Sequence, residues 1–213
     1  APMVLFLHNA RDAHAMDRIV TRMAARWATA IWADSTTTLE ERLPHHINHH
    51  GRVISYLLDR AKPIRGAQPD PTPDLIFWGR LAAQKDPLRM LSQFARLYEK
   101  RSDATLTIIG PDGGLEEALR TDIERRGLEH AVTLTGPLSR SAITTLAAQA
   151  SFYIQTSRHE GMAISVIEAM QAGLIPVVTP VGEISRYTRD GENAVFSRHA
   201  RIYAPSTDVH EHD

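Results

Sequence analysis

The sequence predicts an α/β fold: a Rossmann-like parallel sheet with helices on both faces, preceded by a partial second α/β domain. Three observations carry this expectation. Short apolar, β-branched runs alternate with longer runs of helical period from end to end. Strands separated by helices of this length pair in parallel, because a parallel pair needs a crossover connection. Pro63, Gly66, Pro69, Pro71 and Pro73 crowd into one segment, where proline removes backbone donors and turns the preceding residue away from helix. That segment divides the chain into residues 1–62, a linker at 63–73, a larger domain at 74–196 and a tail at 197–213.

In the first part, Val4–Leu7 is a buried-strand candidate. Residues 11–29 have helical period, with Ile19, Val20, Met23 and Trp27 on one face. Ala30–Ala33 is a short strand ending in Asp34 and Ser35. Residues 38 to about 43 start a helix, Thr38 and Glu41 being spaced like a capping box. Residues 53–57 are strand-like. After the linker, residues 75–78 form a strand and Pro87 opens a helix reaching about residue 100. Thr105–Ile109 is a strand ending at Gly110, and a helix over 115–126 is stopped by Gly127. A strand over 132–135 ends at Gly136-Pro137, and Ser139 caps a helix running to about residue 150. Phe152–Gln155 is a strand, 162–172 a helix closed by Gly173, and 175–179 a strand. No short-period repeat is present.

Composition narrows the function. The 213 residues are 43% hydrophobic and 23% charged, a globular mix that argues against a disordered, collagen-like or disulfide-stapled chain. Twenty-four basic residues against 25 acidic ones give a net charge of −1. That offers no global electrostatic case for nucleic acid, although a local basic pocket remains open. With no cysteine, disulfides, thiolate nucleophiles and cysteine-ligated metal centres are excluded. The apolar run at residues 3–7 lacks a basic leader, so no signal peptide is expected. No run reaches the roughly 20 apolar residues of a membrane span. The expected location is the cytoplasm, with peripheral contact at the inner membrane left open.

In an open parallel sheet, ligands bind at the carboxyl ends of the strands. Those ends carry Gly79-Arg80 with Lys85, then Gly110-Pro111-Asp112-Gly113-Gly114, then Gly136-Pro137, then Ser157-Arg158-His159-Glu160-Gly161. Arg80 and Lys85 sit on one loop before a helix, two cations beside free N–H groups, which suits phosphate. In the run from Glu160 to Glu168, the helix is expected to begin near Gly161 or Met162. Glu168 then falls on nearly the same stripe as Gly161, roughly 10 Å along the axis. The helix start can take a phosphate, Glu168 can accept hydrogen bonds from a ribose diol, and Glu160 is left to face what the diphosphate carries. Each residue also has a plainer reading as a solvated charge, a dipole partner or a turn. Neither G-x-G-x-x-G nor G-x-x-x-x-G-K-[ST] occurs.

These segments resemble a known family. Phe77-Trp78-Gly79-Arg80-Leu81 with Lys85, then Ser157 through Met162, Glu168-Ala169-Met170, Gly173, Pro176-Val177-Val178 and Asp190-Gly191, are similar in order and spacing to the donor domain of family-4 retaining glycosyltransferases of GT-B fold. The resemblance covers about residues 74–196. Residues 2–8, ending in His8, and Ala33-Asp34-Ser35 resemble, more loosely, strands of that family's acceptor domain. The resemblance implies a nucleotide-diphosphate sugar as donor substrate, no cofactor or metal, and a sugar, lipid-linked or glycan acceptor. Arg80 and Lys85 would hold the diphosphate and neutralise the leaving group. Gly161, Met162, Ala163 and Ile164 would offer backbone N–H groups to the phosphate or sugar. Glu160 would contact sugar hydroxyls, Glu168 the ribose, and Gly136 and Leu138 would lie near the base. His8 would reach the sugar from the other domain. Glu160, His8, Arg80 and Lys85 are thus the candidate catalytic residues.

The chain departs from the pattern too. Arg186 stands where a Glu is common and Ala194 where a Gly is common. The family's glycine-rich loop and C-terminal helices are not seen, so the chain is expected to be a fragment or truncated product whose activity alone is open. Two other readings stay open: a further GT-B enzyme such as a phosphorylase or nucleotide-sugar hydrolase, and a non-catalytic nucleotide-sugar-binding module. His45/His49 and His46/His50 have i, i+4 spacing, but Gly51 follows at once and they read as a solvated His-rich loop. His210 and His212 read as disordered end residues.

Overall fold

The computed structural model describes residues 2–8, 12, 14–48, 51–54 and 73–197. The expected linker lies almost wholly outside these residues, as do His49, His50, His210, His212 and residues 55–57 of the strand expected at 53–57.

The first lobe holds β1 (Val4–Leu7), α1 (Ala15–Trp27), β2 (Ala30–Ala33), α2 (Thr36–Arg42), α3 (His45–Asn48) and β3 (Gly51–Val53). Its sheet is parallel in the order β1-β2-β3, with Val4 opposite Ala30 and Ala33 opposite Val53. Leu7, Ala25, Ile31, Ala33, Leu39, Leu43 and Ile47 form its core.

The second lobe holds β4 (Asp74–Trp78), α4 (Pro87–Tyr98), β5 (Thr105–Ile109), α5 (Glu116–Arg126), β6 (Val132–Gly136), α6 (Arg140–Ala147), β7 (Phe152–Gln155), α7 (Ile164–Gln171), β8 (Ile175–Val178), α8 (Ile184–Tyr187) and β9 (Val195–Phe196). Its strands run parallel in the order β6-β5-β4-β7-β8-β9. Both faces are covered, so the central strands carry mainly apolar runs: Leu75, Ile76, Phe77, Leu106, Ile108, Ile154, Val177 and Val178 are all buried. From β4 the chain builds outward through β5 and β6, then crosses back to place β7 on the other side of β4. That reversal opens a crevice between the carboxyl ends of β4 and β7.

Several boundaries differ from the sequence reading. Helix α2 begins at Thr36 and is capped by Ser35, whose Oγ accepts from the Thr38 backbone N–H at 3.0 Å. Thr38 is therefore inside the helix rather than its cap. Helix α7 begins at Ile164 rather than near Gly161, because Ala163 takes a left-handed conformation (φ +54°) that closes the helix off from the loop. Gly161 thus lies outside the helix and shares no stripe with Glu168. The apolar face of α1 is exposed: Ile19, Val20, Met23 and Trp27 (76% accessible) face outward, whereas Thr21 and Ala25 pack inward. Val4, Phe6 and Trp32 are exposed as well, so among the described residues one side of the three-stranded sheet is left uncovered. The short elements α8 and β9 fall below the length at which periodicity is readable.

Candidate active site

The site is built from the loops that follow β4 and β7, at the crevice. Gly110, after β5, lets the neighbouring loop approach: a Cβ there would lie 1.9 Å from the Gly79 carbonyl oxygen. The two crevice loops are then laced together. The Arg158 N–H donates to the Gln84 carbonyl at 2.8 Å and the Gln84 amide donates to the His159 carbonyl at 3.2 Å. Arg158 pairs with Asp86 at 2.9 Å, and the Thr156 hydroxyl donates to the Asp86 carbonyl at 2.9 Å. Asp86 and Ala163, which precede α4 and α7, are the non-glycine residues with positive φ among those described. Such backbone costs about 1 kcal/mol each and concentrates where a surrounding structure holds it for a purpose.

Lys85 and Glu160 meet in this lacing, Nζ to Oε1 at 2.7 Å, with Glu160 6% and Lys85 17% accessible. Lys85 is therefore charge-compensated rather than a free cation. Arg80, on the same loop, is exposed and makes no ion pair among the described residues. The Glu160 Oε1 also accepts from the Gln155 amide at 3.2 Å. Gln155, fully buried, accepts at its own Oε1 from the Tyr153 hydroxyl at 2.8 Å and the Ser165 hydroxyl at 2.9 Å. Burial pushes the Tyr153 phenol well above its ordinary value, so it stays a donor. Burial does the same to Tyr187, whose hydroxyl donates to the Met162 carbonyl at 3.0 Å and steadies the loop before α7.

Glu168 is on the second turn of α7, four residues from Ile164 and so about 6 Å along the axis. Its Oε2 accepts from the Trp78 indole N–H at 3.3 Å, and its Oε1 lies 3.4 Å from the Arg140 guanidinium. Trp78 in turn packs on Tyr153 with ring centroids 4.5 Å apart. Gly136 ends β6 and the exposed Leu138 follows it, two strands out from β4 and the crevice.

The first lobe closes the crevice from the other side. His8, at the end of β1, sets its Nδ1 3.0 Å from Oδ2 of the buried Asp34. A Cβ on Gly161 would lie 3.2 Å from Thr38 Oγ1 and 3.5 Å from Asp34 Oδ2, so at this glycine the Glu160 loop stands close against the other lobe. The Glu183 carboxylate accepts from the Thr37 backbone N–H at 2.9 Å and its hydroxyl at 3.0 Å.

The structure thus brings Lys85, Glu160, Gly161, Met162, Ala163, Ile164 and Glu168 around one crevice, with Arg80 on the Lys85 loop and His8 on the facing lobe. The sequence reading gives no site role to Gln155, Ser165, Tyr153 or Glu183. Asp34 enters it only within Ala33-Asp34-Ser35, with no role of its own.

Comparison with known proteins decides the family. The model of glycosyl transferases group 1 matches residues 60–202. This chain belongs to glycosyl transferases group 1. The group 1 chain is 31% identical over 159 residues to GDP-mannose:cellobiosyl-diphosphopolyprenol alpha-mannosyltransferase of Xanthomonas campestris, a match covering 74% of this chain and 42% of that one. It is 28% identical to Alpha-D-kanosaminyltransferase of Streptomyces kanamyceticus, over 59% of this chain and 32% of that one. It spans less than half the length of these curated relatives. Among solved structures it resembles Anabaena Alr3699/HepE in complex with UDP and glucose, with a TM-score of 0.77 at 20% identity, covering 92% of this chain and 57% of that one. That likeness establishes the shared α/β architecture of the GT-B fold.

Proposed function

We propose that this group 1 chain forms the nucleotide-sugar site of a family-4 glycosyltransferase, which moves a sugar from a nucleotide-diphosphate donor to an acceptor hydroxyl with retention and without a metal. The observation that carries the reading is the crevice itself: a buried Lys85–Glu160 pair, the start of α7 and Glu168 lie on one wall, and His8 with Asp34 lies opposite. In this reading Arg80 is the exposed cation that meets the diphosphate. Lys85 shares its charge between Glu160 and the departing phosphate, so that negative charge developing on the leaving group meets fixed positive charge. The N–H groups at Gly161, Met162, Ala163 and Ile164 hold phosphate or sugar. Glu160 accepts from sugar hydroxyls, Glu168 from the ribose, and Gly136 and Leu138 flank the base. His8 faces the sugar from the first lobe.

The acceptor is a sugar, a lipid-linked sugar or another glycan, and work on a lipid-linked one would bring the protein to the cytoplasmic membrane surface. The names of the relatives select the first ligands to try: GDP-mannose from the mannosyltransferase, and UDP with glucose from the Anabaena structure. Calorimetric titration with GDP-mannose, UDP-glucose, an ADP-sugar and the bare nucleoside diphosphates, each with and without EDTA, tests the reading. It expects one sugar nucleotide to bind with EDTA present. It also expects Arg80→Ala to weaken diphosphate binding, and Glu168→Ala nucleoside binding, by about tenfold each. No binding of any sugar nucleotide, or unchanged affinity in both folded variants, would remove it.

A further inference from the structure

We propose that Gln155 is a positioning residue: it sets the Glu160 carboxylate for the donor sugar, and its own direction is set by Ser165 and Tyr153. This rests on the reading of Glu160 as the residue that meets sugar hydroxyls. The argument is one of hydrogen-bond polarity. Paired with the Lys85 ammonium, the Glu160 carboxylate presents oxygens that accept. The Gln155 atom 3.2 Å from it must then be the amide nitrogen. The amide oxygen is thereby turned the other way, where it accepts from Ser165 at 2.9 Å and takes the nearer share, at 2.8 Å, of the single Tyr153 proton, which also faces the Trp78 carbonyl at 3.2 Å. The reversed amide would set oxygen against carboxylate. The orientation of the Gln155 amide therefore has one solution, its nitrogen on the carboxylate and its oxygen on the hydroxyls.

Its placement gives the amide its effect. Gln155 is the last residue of β7 and Ser165 the second of α7. The amide ties the strand to the helix across the base of the loop that carries Glu160. Gln155 and Tyr153 are fully buried, so water cannot substitute for a missing member, and an unpaired amide there is costly. The Tyr153 hydroxyl has the Trp78 carbonyl as a second acceptor at 3.2 Å, and the Trp78 indole donates to Glu168. The same buried group thus sits between the carboxylate read as the sugar contact and the one read as the ribose contact.

The test compares two affinities in the full chain by calorimetry: that for a sugar nucleotide (GDP-mannose or UDP-glucose, whichever the wild type binds) and that for the matching bare nucleoside diphosphate. Gln155→Leu is expected to reduce sugar-nucleotide affinity about tenfold while bare-nucleotide affinity stays within about twofold. Ser165→Ala is expected to lose part of the same increment and Ser165→Thr, which keeps the hydroxyl, to restore it. Should Gln155→Leu not fold, the Ser165 pair decides alone. Equal losses for both ligands would mean that the residue is merely structural and would overturn the proposal, as would an unchanged ratio in the Gln155 and Ser165→Ala variants. If the wild type binds no sugar nucleotide, the functional reading fails first and this proposal with it.

Discussion

Glu183 of the second lobe caps a helix of the first: its Oε1 accepts from the backbone N–H of Thr37 at 2.9 Å and from the Thr37 hydroxyl at 3.0 Å, across 146 residues of chain. The carboxylate sits at the N-terminal turn of α2, where the helix dipole favours negative charge. The backbone N–H of the same residue donates to the Gly161 carbonyl at 3.1 Å. One residue thus fastens the Glu160 loop and the opposite lobe together.

Removing this fastening should loosen the crevice. Glu183→Ala is expected to lower the stability of the chain by about 1.5–3 kcal/mol in urea unfolding, the range for hydrogen bonds to a charged group. Glu183→Gln keeps an acceptor and should recover part of the loss. An alanine variant with wild-type stability would show that the two bonds contribute nothing.

The Lys85–Glu160 pair is buried enough that breaking it from one side should cost more than deleting it. Lys85→Met leaves the Glu160 carboxylate with Gln155 as its remaining hydrogen-bond partner among the described residues, and a loss of about 3–5 kcal/mol is expected. Adding Glu160→Gln to the same chain should return most of it. A double variant no more stable than Lys85→Met alone would argue against a charge penalty at this position.

The limits of the sequence as a guide follow the same physics. Arg80, Lys85 and Glu160 are legible as candidates because they lie in the loops after strand ends, and Glu168 because it follows Glu160 at a fixed spacing into the next helix; the alternation of β and α elements is legible because each has its own period. Gln155 is not, since a buried glutamine at a strand end has no period, and its partners are fixed only once β7 and α7 are side by side. Glu183 was invisible for the same reason, its partner lying in another lobe. The start of α7 was misplaced because Ala163, a good helix former by propensity, is held in a left-handed conformation by its surroundings. The apolar stripe of α1 was read correctly as a stripe, but a stripe does not say what covers it.

Gly182 tests how tightly the Glu160 loop is packed. Its φ is +58°, and a Cβ would stand 2.1 Å from the Glu160 carbonyl oxygen. Gly191, with φ +77° and nothing within 4 Å of a Cβ, is the matched control. Gly191→Ala should cost about 1–2 kcal/mol, the left-handed penalty alone. Gly182→Ala should cost roughly 1–3 kcal/mol more, from overpacking against backbone, and should weaken sugar-nucleotide binding as well. Equal costs in thermal unfolding would place the Glu160 loop further from this turn than it stands here.

Acid should act through Asp112. Its Oδ1 accepts from the backbone N–H groups of Gly114 at 2.7 Å, Leu115 at 3.0 Å and Glu116 at 3.0 Å, at the entry to α5. The bonds from Glu116 first, then Gly114, hold its carboxyl below the ordinary value of 3.8. A depressed carboxyl adds stability that is complete above the ordinary value and is lost as pH falls through the lower, folded one. Asp112→Asn removes the titrating group, so its unfolding midpoint should fall less steeply than the wild type's below about pH 4. Parallel acid limbs for the two proteins would assign the acid sensitivity elsewhere.

The indole of Trp78 gives the crevice its own optical signal. The chain's other two tryptophans, Trp27 and Trp32, are exposed, whereas Trp78 is buried, donates to Glu168 and packs on Tyr153. A ligand that draws Glu168 away from that N–H changes the emission of one fluorophore and leaves two untouched. Occupancy can therefore be followed in the unlabelled protein, with Trp27→Phe and Trp32→Phe clearing the background.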